Sequence, residues 1–135
     1  MFAFRSALAV VAAGFLASLA VAADLKFEIY KDAKDEFRWR LKDGDTVLGT
    51  GGQGYAKKAD AQKGVERMQK DAGTDALAFE VYEDNAKKFR WRAKVKNGNV
   101  VAASASGYAT KAEAEKAVKG IETGAAKAKV VDETK

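Results

Sequence analysis

Basic residues alternate with apolar ones in two segments of this chain, and their spacing suggests a binding chemistry. Residues 37–42 read FRWRLK and residues 89–94 read FRWRAK. Successive side chains of a strand point to opposite faces, so the alternation predicts one cationic face. Such a face can bind a polyanion, for example an envelope polysaccharide, lipid headgroups or nucleic acid. The candidate anion-binding residues are Arg38, Arg40, Lys42, Arg90, Arg92 and Lys94.

The same strands also supply partners for these cations. A hairpin that pairs the first segment with residues 25–31 places Glu28 opposite Arg40 and Tyr30 opposite Arg38. An equivalent hairpin repeats both pairs in the second segment. Opposite charges across strands stabilise a sheet by roughly 0.2–1 kcal/mol per pair, and they cancel much of the positive field. We therefore expect a self-paired, solvated face, and the polyanion-binding surface is the alternative.

Catalytic chemistry has few candidates in the composition. The chain contains no histidine and no cysteine, which removes the commonest general base, thiolate nucleophiles and disulfides. Its carboxylates are scattered and mostly adjacent to lysine, so they predict no acid/base pair. We expect a protein that is not an enzyme, with no catalytic residue, metal site or cofactor.

Two weaker patterns are better explained by structure than by ligand binding. Asp32, Asp35 and Glu36 could offer oxygen ligands to a cation, but the second copy of this segment replaces two of the three. The glycine-rich residues 49–54 lack the Lys-Ser/Thr step that a phosphate-binding loop needs. We interpret them as a flexible connector.

Residues 1–22 have the pattern of a signal peptide. Arg5 gives a positive start, residues 7–21 are uncharged and mostly apolar, and small residues follow in A-x-A fashion. The segment is short for an uncleaved anchor, which needs about 20 apolar residues. We expect cleavage after Ala22 or Ala23 and a periplasmic or secreted protein with no stable membrane span. The formal net charge of +5 drops by one when Arg5 is removed.

An internal duplication organises the rest of the chain. Residues 25–40 align without a gap with residues 77–92 at an offset of 52, and the later Gly-Tyr steps align at an offset of 53. We place the first repeat at residues 24–73, the second at 76–126, and a short final strand and frayed tail at 127–135. A shared FRWR at equal phase indicates two copies of one unit.

Each copy predicts three strands followed by a helix. Period-two alternation marks the first two strands, with Trp39 and Trp91 on the buried face, and residues 46–50 and 100–104 form the third strands. Asp43-Gly44 and Asn97-Gly98 are dipeptides typical of type I′ hairpin turns. Apolar residues then recur at helical spacing in residues 61–72 and 114–125.

The helix starts of the two copies differ. Thr110 and Glu113 form a capping-box pattern, whereas the first copy has Lys57 at the capping position. Lys129-Val130-Val131 predicts a last strand, which would tie the halves into one sheet if it crosses to the other repeat.

The order of these motifs resembles the YegP-like domain, a unit of about fifty residues that often occurs in tandem. The shared features are the F-R-W-R strand, the Asn/Asp-Gly hairpin, the Gly-Tyr step and the following helix, from about Leu25 to about Ala126. The resemblance implies units that share one sheet and exchange their last strands. It implies no biochemical activity, because the family has none assigned.

We therefore predict an α+β fold in which two tandem repeats form one antiparallel sheet with two helices on one face. The predicted function is that of an exported, non-catalytic module that acts by binding or by structure. A fused monomer is expected rather than a dimer. The alternative partner is an envelope polyanion, and nucleic acid is not expected.

Overall fold

The computed structural model of the protein describes residues 24–134 and contains the two predicted β-β-β-α units. The first unit comprises β1 (Leu25–Lys31), β2 (Phe37–Asp43), β3 (Thr46–Thr50) and α1 (Lys58–Asp71). The second comprises β4 (Leu77–Glu83), β5 (Phe89–Val95), β6 (Val100–Ser104) and α2 (Lys111–Gly124). A 3₁₀ turn (Ala125–Lys127) and β7 (Lys129–Asp132) follow.

All seven strands form one sheet in the order β4-β5-β6-β3-β2-β1-β7. The two repeats meet at the short antiparallel pairing of β3 with β6, where Gly49 lies opposite Ser104. The last strand, β7, pairs with β1 and runs parallel to it. The predicted α+β fold of two fused repeats is confirmed, with one parallel pair at the edge of an otherwise antiparallel sheet.

The predicted hairpin registers are confirmed in both repeats. Ile29 lies opposite Trp39 in the first hairpin, and Val81 lies opposite Trp91 in the second. The predicted type I′ turns are wrong. Asp43 and Thr46 pair across a two-residue loop in which only Gly44 has a positive φ, as in a type II′ turn. In the second hairpin the Gly98 amide donates to the Val95 carbonyl at 2.9 Å, and Gly98 but not Asn97 has a positive φ, which a type I′ turn does not allow.

The two helices cover the same face of the sheet. α1 buries Ala61, Val65 and Met68, and α2 buries the equivalent face. Thr110 accepts a hydrogen bond from the Glu113 amide (3.2 Å), and the Glu113 carboxylate accepts one from the Thr110 amide (3.1 Å), which completes the predicted capping box. Within residues 24–134, neither helix is long and apolar enough to cross a membrane.

One tryptophan per repeat fills the layer between sheet and helix. Trp39 and Trp91 are 2% and 0% exposed, as predicted. The indole of Trp39 lies so close to Gly51 and Gly64 that a Cβ at either position would collide with it. The glycine-rich connector is therefore partly required by packing. Gly49 is constrained in the same way by the ring of Trp91.

The final strand connects the end of the second repeat to the beginning of the first. The Ile29 carbonyl accepts a hydrogen bond from the Glu133 amide at 2.8 Å. The side-chain amide of Gln69 on α1 donates to the Ala128 carbonyl at 3.1 Å, and Ala125 and Ala128 are buried. β7 therefore covers the edge of β1, which would otherwise be open.

Replacing either tryptophan with alanine should lower the free energy of unfolding by about 3–5 kcal/mol, because both transfer energy and packing are lost. Val100→Ala is the control, since Val100 is 49% exposed and should change stability by about 0.5 kcal/mol or less. Urea unfolding measures all three variants. Unchanged midpoints for Trp39→Ala and Trp91→Ala would contradict the packing described above.

Removing residues 128–135 should lower the free energy of unfolding by about 1–3 kcal/mol, because the covering of β1 is lost. The exposed edge of β1 should also promote self-association. Thermal melts and sedimentation velocity measure the two effects. A truncated protein with an unchanged melting temperature and a clean monomer would show that β7 adds nothing to the sheet.

Candidate functional site

The six predicted cations lie on the outer face of the sheet, opposite the helices. Glu28 lies at the centre of the first repeat's half of this face. Its carboxylate accepts a hydrogen bond from Arg40 Nε at 2.6 Å and lies 3.6 Å from the ammonium groups of Lys26 and Lys42. The Arg40 guanidinium also lies over the ring of Tyr30, at 4.4 Å from its centroid.

The second repeat has the same pairing of glutamate, arginine and tyrosine, with Ala78 in the place of Lys26. Glu80 accepts from Arg92 Nε at 2.5 Å and from Lys94 Nζ at 3.2 Å. Arg92 lies over the ring of Tyr82, at 4.5 Å from its centroid. The arginine that contacts each tyrosine is therefore the diagonal neighbour rather than the residue directly opposite.

The two remaining arginines pair with loop aspartates. Arg38 Nε donates to Asp32 at 2.6 Å, and Arg90 Nε donates to Asp84 at 2.7 Å. Asp32 also accepts from the amides of Lys34 and Glu36, so it holds the loop of its own hairpin. These contacts occupy Asp32, which the sequence offered as a cation ligand.

Every cation proposed to bind anions therefore has a carboxylate partner. The structure brings the six residues onto one face as predicted, but it surrounds them with Glu28, Asp32, Glu80 and Asp84. Each ion pair reduces the positive potential available to a ligand. Polyanion binding stays a prediction, and these contacts give it no support.

The ion pairs favour the charged form of the carboxylates. Burial raises the pKa of Glu28, but the hydrogen bond from Arg40 and the nearby positive charges outweigh it and lower the pKa overall. Hydrogen bonds from a cationic partner lower the pKa of four further carboxylates, Asp32, Glu80, Asp84 and Asp132. For Asp43 burial is the largest influence, and the pKa is raised overall.

The two halves of the outer face differ in how deeply they are buried. The side chain of Glu28 is 4% exposed, whereas that of Glu80 is 43% exposed. The edges of the sheet differ between the two repeats. β7 lies beside β1, and Glu133 adds a second carboxylate at 3.3 Å from Arg40. Within residues 24–134, no strand lies on the outer side of β4.

Residues that hold the tail were missed by the sequence analysis. Lys58, the first residue of α1, donates to the Asp132 carboxylate at 2.7 Å and to the Thr134 hydroxyl at 3.1 Å. The available signal was that both helices begin with a lysine, Lys58 and Lys111. The repeat alone did not identify the partner of either residue.

A groove and the acidic side chains were the other candidate sites. A shallow groove of about 420 Å³ lies where the repeats meet, and its lining includes Tyr55, Arg67 and Asn99. It is open to solvent, and Arg67 is the only charged side chain in its lining. Among residues 24–134, no group of three or more acidic side chains is placed to hold a metal ion.

Comparisons with known proteins identify the repeated unit. The model of a family described as a domain of unknown function, DUF1508, matches residues 32–78 and again residues 84–132. A UPF0339 protein encoded in the ptx operon 5′ region of Stutzerimonas stutzeri is 39% identical over 108 residues, which cover 78% of this chain and 94% of that protein. A UPF0339 protein of Treponema denticola is 45% identical over 56 residues, 42% of this chain but 95% of the relative.

A solved structure shares the fold. The solution structure of the E. coli protein yegP, a protein of unknown function, superposes with a TM-score of 0.70 at 24% sequence identity. The similarity covers 82% of this chain and 94% of that one. The Treponema relative consists almost entirely of one unit, whereas this chain carries two.

Acid should destabilise the protein through the lowered carboxylate pKa values. The unfolded chain takes up protons at higher pH than the folded one, so the free energy of unfolding should be highest near neutral pH and fall below about pH 4.5. Asp132→Asn should be less stable than the parent at pH 7 and lose less stability on acidification. Urea unfolding between pH 2 and 7 measures this, and a stability maximum below pH 4 would contradict it.

Proposed function

This chain belongs to the DUF1508 family, whose members have no assigned biochemical function, and on that premise we propose that it is an exported, non-catalytic module that acts by binding or by structure. The YegP-like resemblance is confirmed, including the tandem arrangement of two units. The proposal extends this identity to compartment and mode of action.

The observation that carries the proposal is that both faces of the sheet are already occupied. The helices and the two tryptophans fill the inner face. The outer face is covered by ion pairs between side chains of the same chain, such as Arg40 with Glu28. The parts of the sheet that remain available to another molecule are its edges, which favours a scaffold with a binding edge over an enzyme with a cleft.

The electrostatics also favour a non-catalytic role. A general acid or base works best with a pKa near the operating pH. The carboxylates of the outer face have pKa values shifted away from neutrality by cationic partners, so they remain charged and paired. These shifts suit carboxylates that stabilise a sheet. Among the contacts of residues 24–134, none favours polyanion binding.

Export rests on the sequence of residues 1–22, which lie outside the described residues. Expressed as the full chain in a bacterial host, the protein should appear in the periplasmic or secreted fraction with Ala23 or Asp24 as its first residue. Intact-mass spectrometry measures this directly. Recovery of the protein with Met1 retained in a membrane or cytoplasmic fraction would contradict export.

A further inference from the structure

We propose that the free edge of β4, together with Lys111 and Arg92, is a docking site for an extended segment of another protein that ends in two acidic residues. The inference rests on the proposed binding function and names its partner class. It comes from comparing the two repeats, because the first repeat contains the same site with its occupant in place.

The occupant in the first repeat is β7 with the residues that follow it. Its backbone pairs in parallel with β1, and Glu133 donates its amide to the Ile29 carbonyl at 2.8 Å. Two acidic side chains fix its end. The Asp132 carboxylate accepts a hydrogen bond from Lys58 Nζ at 2.7 Å on the helix-covered face of the sheet. The Glu133 carboxylate lies 3.3 Å from the Arg40 guanidinium on the outer face.

The second repeat has the same receiving residues. β4 pairs with β5 in the same register as β1 with β2. Val81 is therefore the equivalent of Ile29, and its carbonyl points to the free edge of β4. Lys111 is the equivalent of Lys58, and Arg92 is the equivalent of Arg40. Within residues 24–134, Lys111 has no carboxylate at ion-pair distance, and Arg92 has only Glu80.

Burial shows where the missing strand would lie. Phe27, Ile29 and Val65 of the first repeat are at most 1% exposed. Their equivalents on β4 and α2, which are Phe79, Val81 and Val118, are all half-buried. The apolar positions that lose cover in the second repeat are therefore those on its edge strand and on the helix above it. In the first repeat the covering segment buries Ala125 and Ala128, whereas Val130 and Val131 of β7 are 46% and 38% exposed, so the cover comes mainly from its backbone and its small residues.

Within residues 24–134, no segment lies at this edge, for a topological reason. The residues after α2 become β7, but the equivalent residues after α1 become the beginning of β4 itself. In the fused chain, the segment after α1 forms part of β4 and so is not available to cover the edge of β4. The edge is therefore open to an external strand in the part of the chain that the structure describes.

A partner protein fits this edge better than a second copy of the chain. The tail of a second copy is already paired with its own β1. Moving that tail to β4 of another molecule would break as many contacts as it would form. An unrelated partner gives up no such contacts. The preferred segment is extended, runs parallel to β4, carries β-branched residues, and ends with one acidic side chain for Lys111 and one for Arg92.

The test uses a fluorescent peptide with the sequence of residues 127–135, added to the full chain as purified. We expect saturable binding that causes amide shifts along β4 in NMR spectra. Lys111→Glu should weaken binding about tenfold or more, while Lys119→Glu, an equal charge change at an exposed site on the same helix, should leave it within about twofold. Glutamate at the first position of a helix suits the helix dipole, so the variant should fold.

Peptide chemistry provides the second control. Replacing only the aspartate of the peptide with asparagine should weaken binding to the parent protein but should not weaken binding to Lys111→Glu any further, because the aspartate is the proposed partner of Lys111. Equal weakening by Lys119→Glu would indicate unspecific charge attraction and overturn the proposal.

Three further outcomes would also overturn it. The first is the absence of saturable binding. The second is a set of amide shifts along β1, which would mean that the peptide exchanges with the protein's own tail. The third is a dimer of the parent chain that Lys111→Glu dissociates, which would make a second copy the occupant. None of these results bears on export or on the absence of catalysis, so the docking site and the proposed function fail separately.

Discussion

The fold depends on accommodating one large indole ring between sheet and helix in each repeat. The ring of Trp39 requires backbone without side chains at Gly51 and Gly64, and Phe27 packs edge-on against it at 5.8 Å between centroids. The indole N–H groups of both tryptophans are buried without a hydrogen-bond acceptor among the described residues.

The two repeats are nearly identical in register but unequal in environment. The same glutamate is almost completely buried in the first repeat and half exposed in the second, although its arginine partner is the same. What differs is the neighbouring edge, which β7 covers on one side only, and the residue two positions before the glutamate, which is Lys26 in the first repeat and Ala78 in the second. Burial and charge pairing in this protein therefore follow from the position of a strand in the sheet as well as from the repeat sequence.

The local part of the fold was predictable from sequence because its signals are local. Alternation identified the strands, facing charges identified the register of Glu28 with Arg40, and Thr110 with Glu113 identified a helix start. The turn geometry was missed because an Asp-Gly dipeptide does not determine which two residues form the loop, and here Gly44 and Asp45 lie between the paired Asp43 and Thr46. The contact of Lys58 with Asp132 was missed because 74 positions separate the residues, and many acidic side chains could have been the partner.

The parallel pairing of β7 with β1 also determines when the sheet can be completed. Arg40 and Glu133 are 93 positions apart, and the strand that protects β1 is made from almost the last residues of the chain. Contacts of such long sequence separation form late, because closing the loop between them costs entropy before any contact is gained. During synthesis the first unit can therefore pair its own three strands but must keep an open edge until residues 129–132 have emerged. Any restraint on those residues would prolong that aggregation-prone interval.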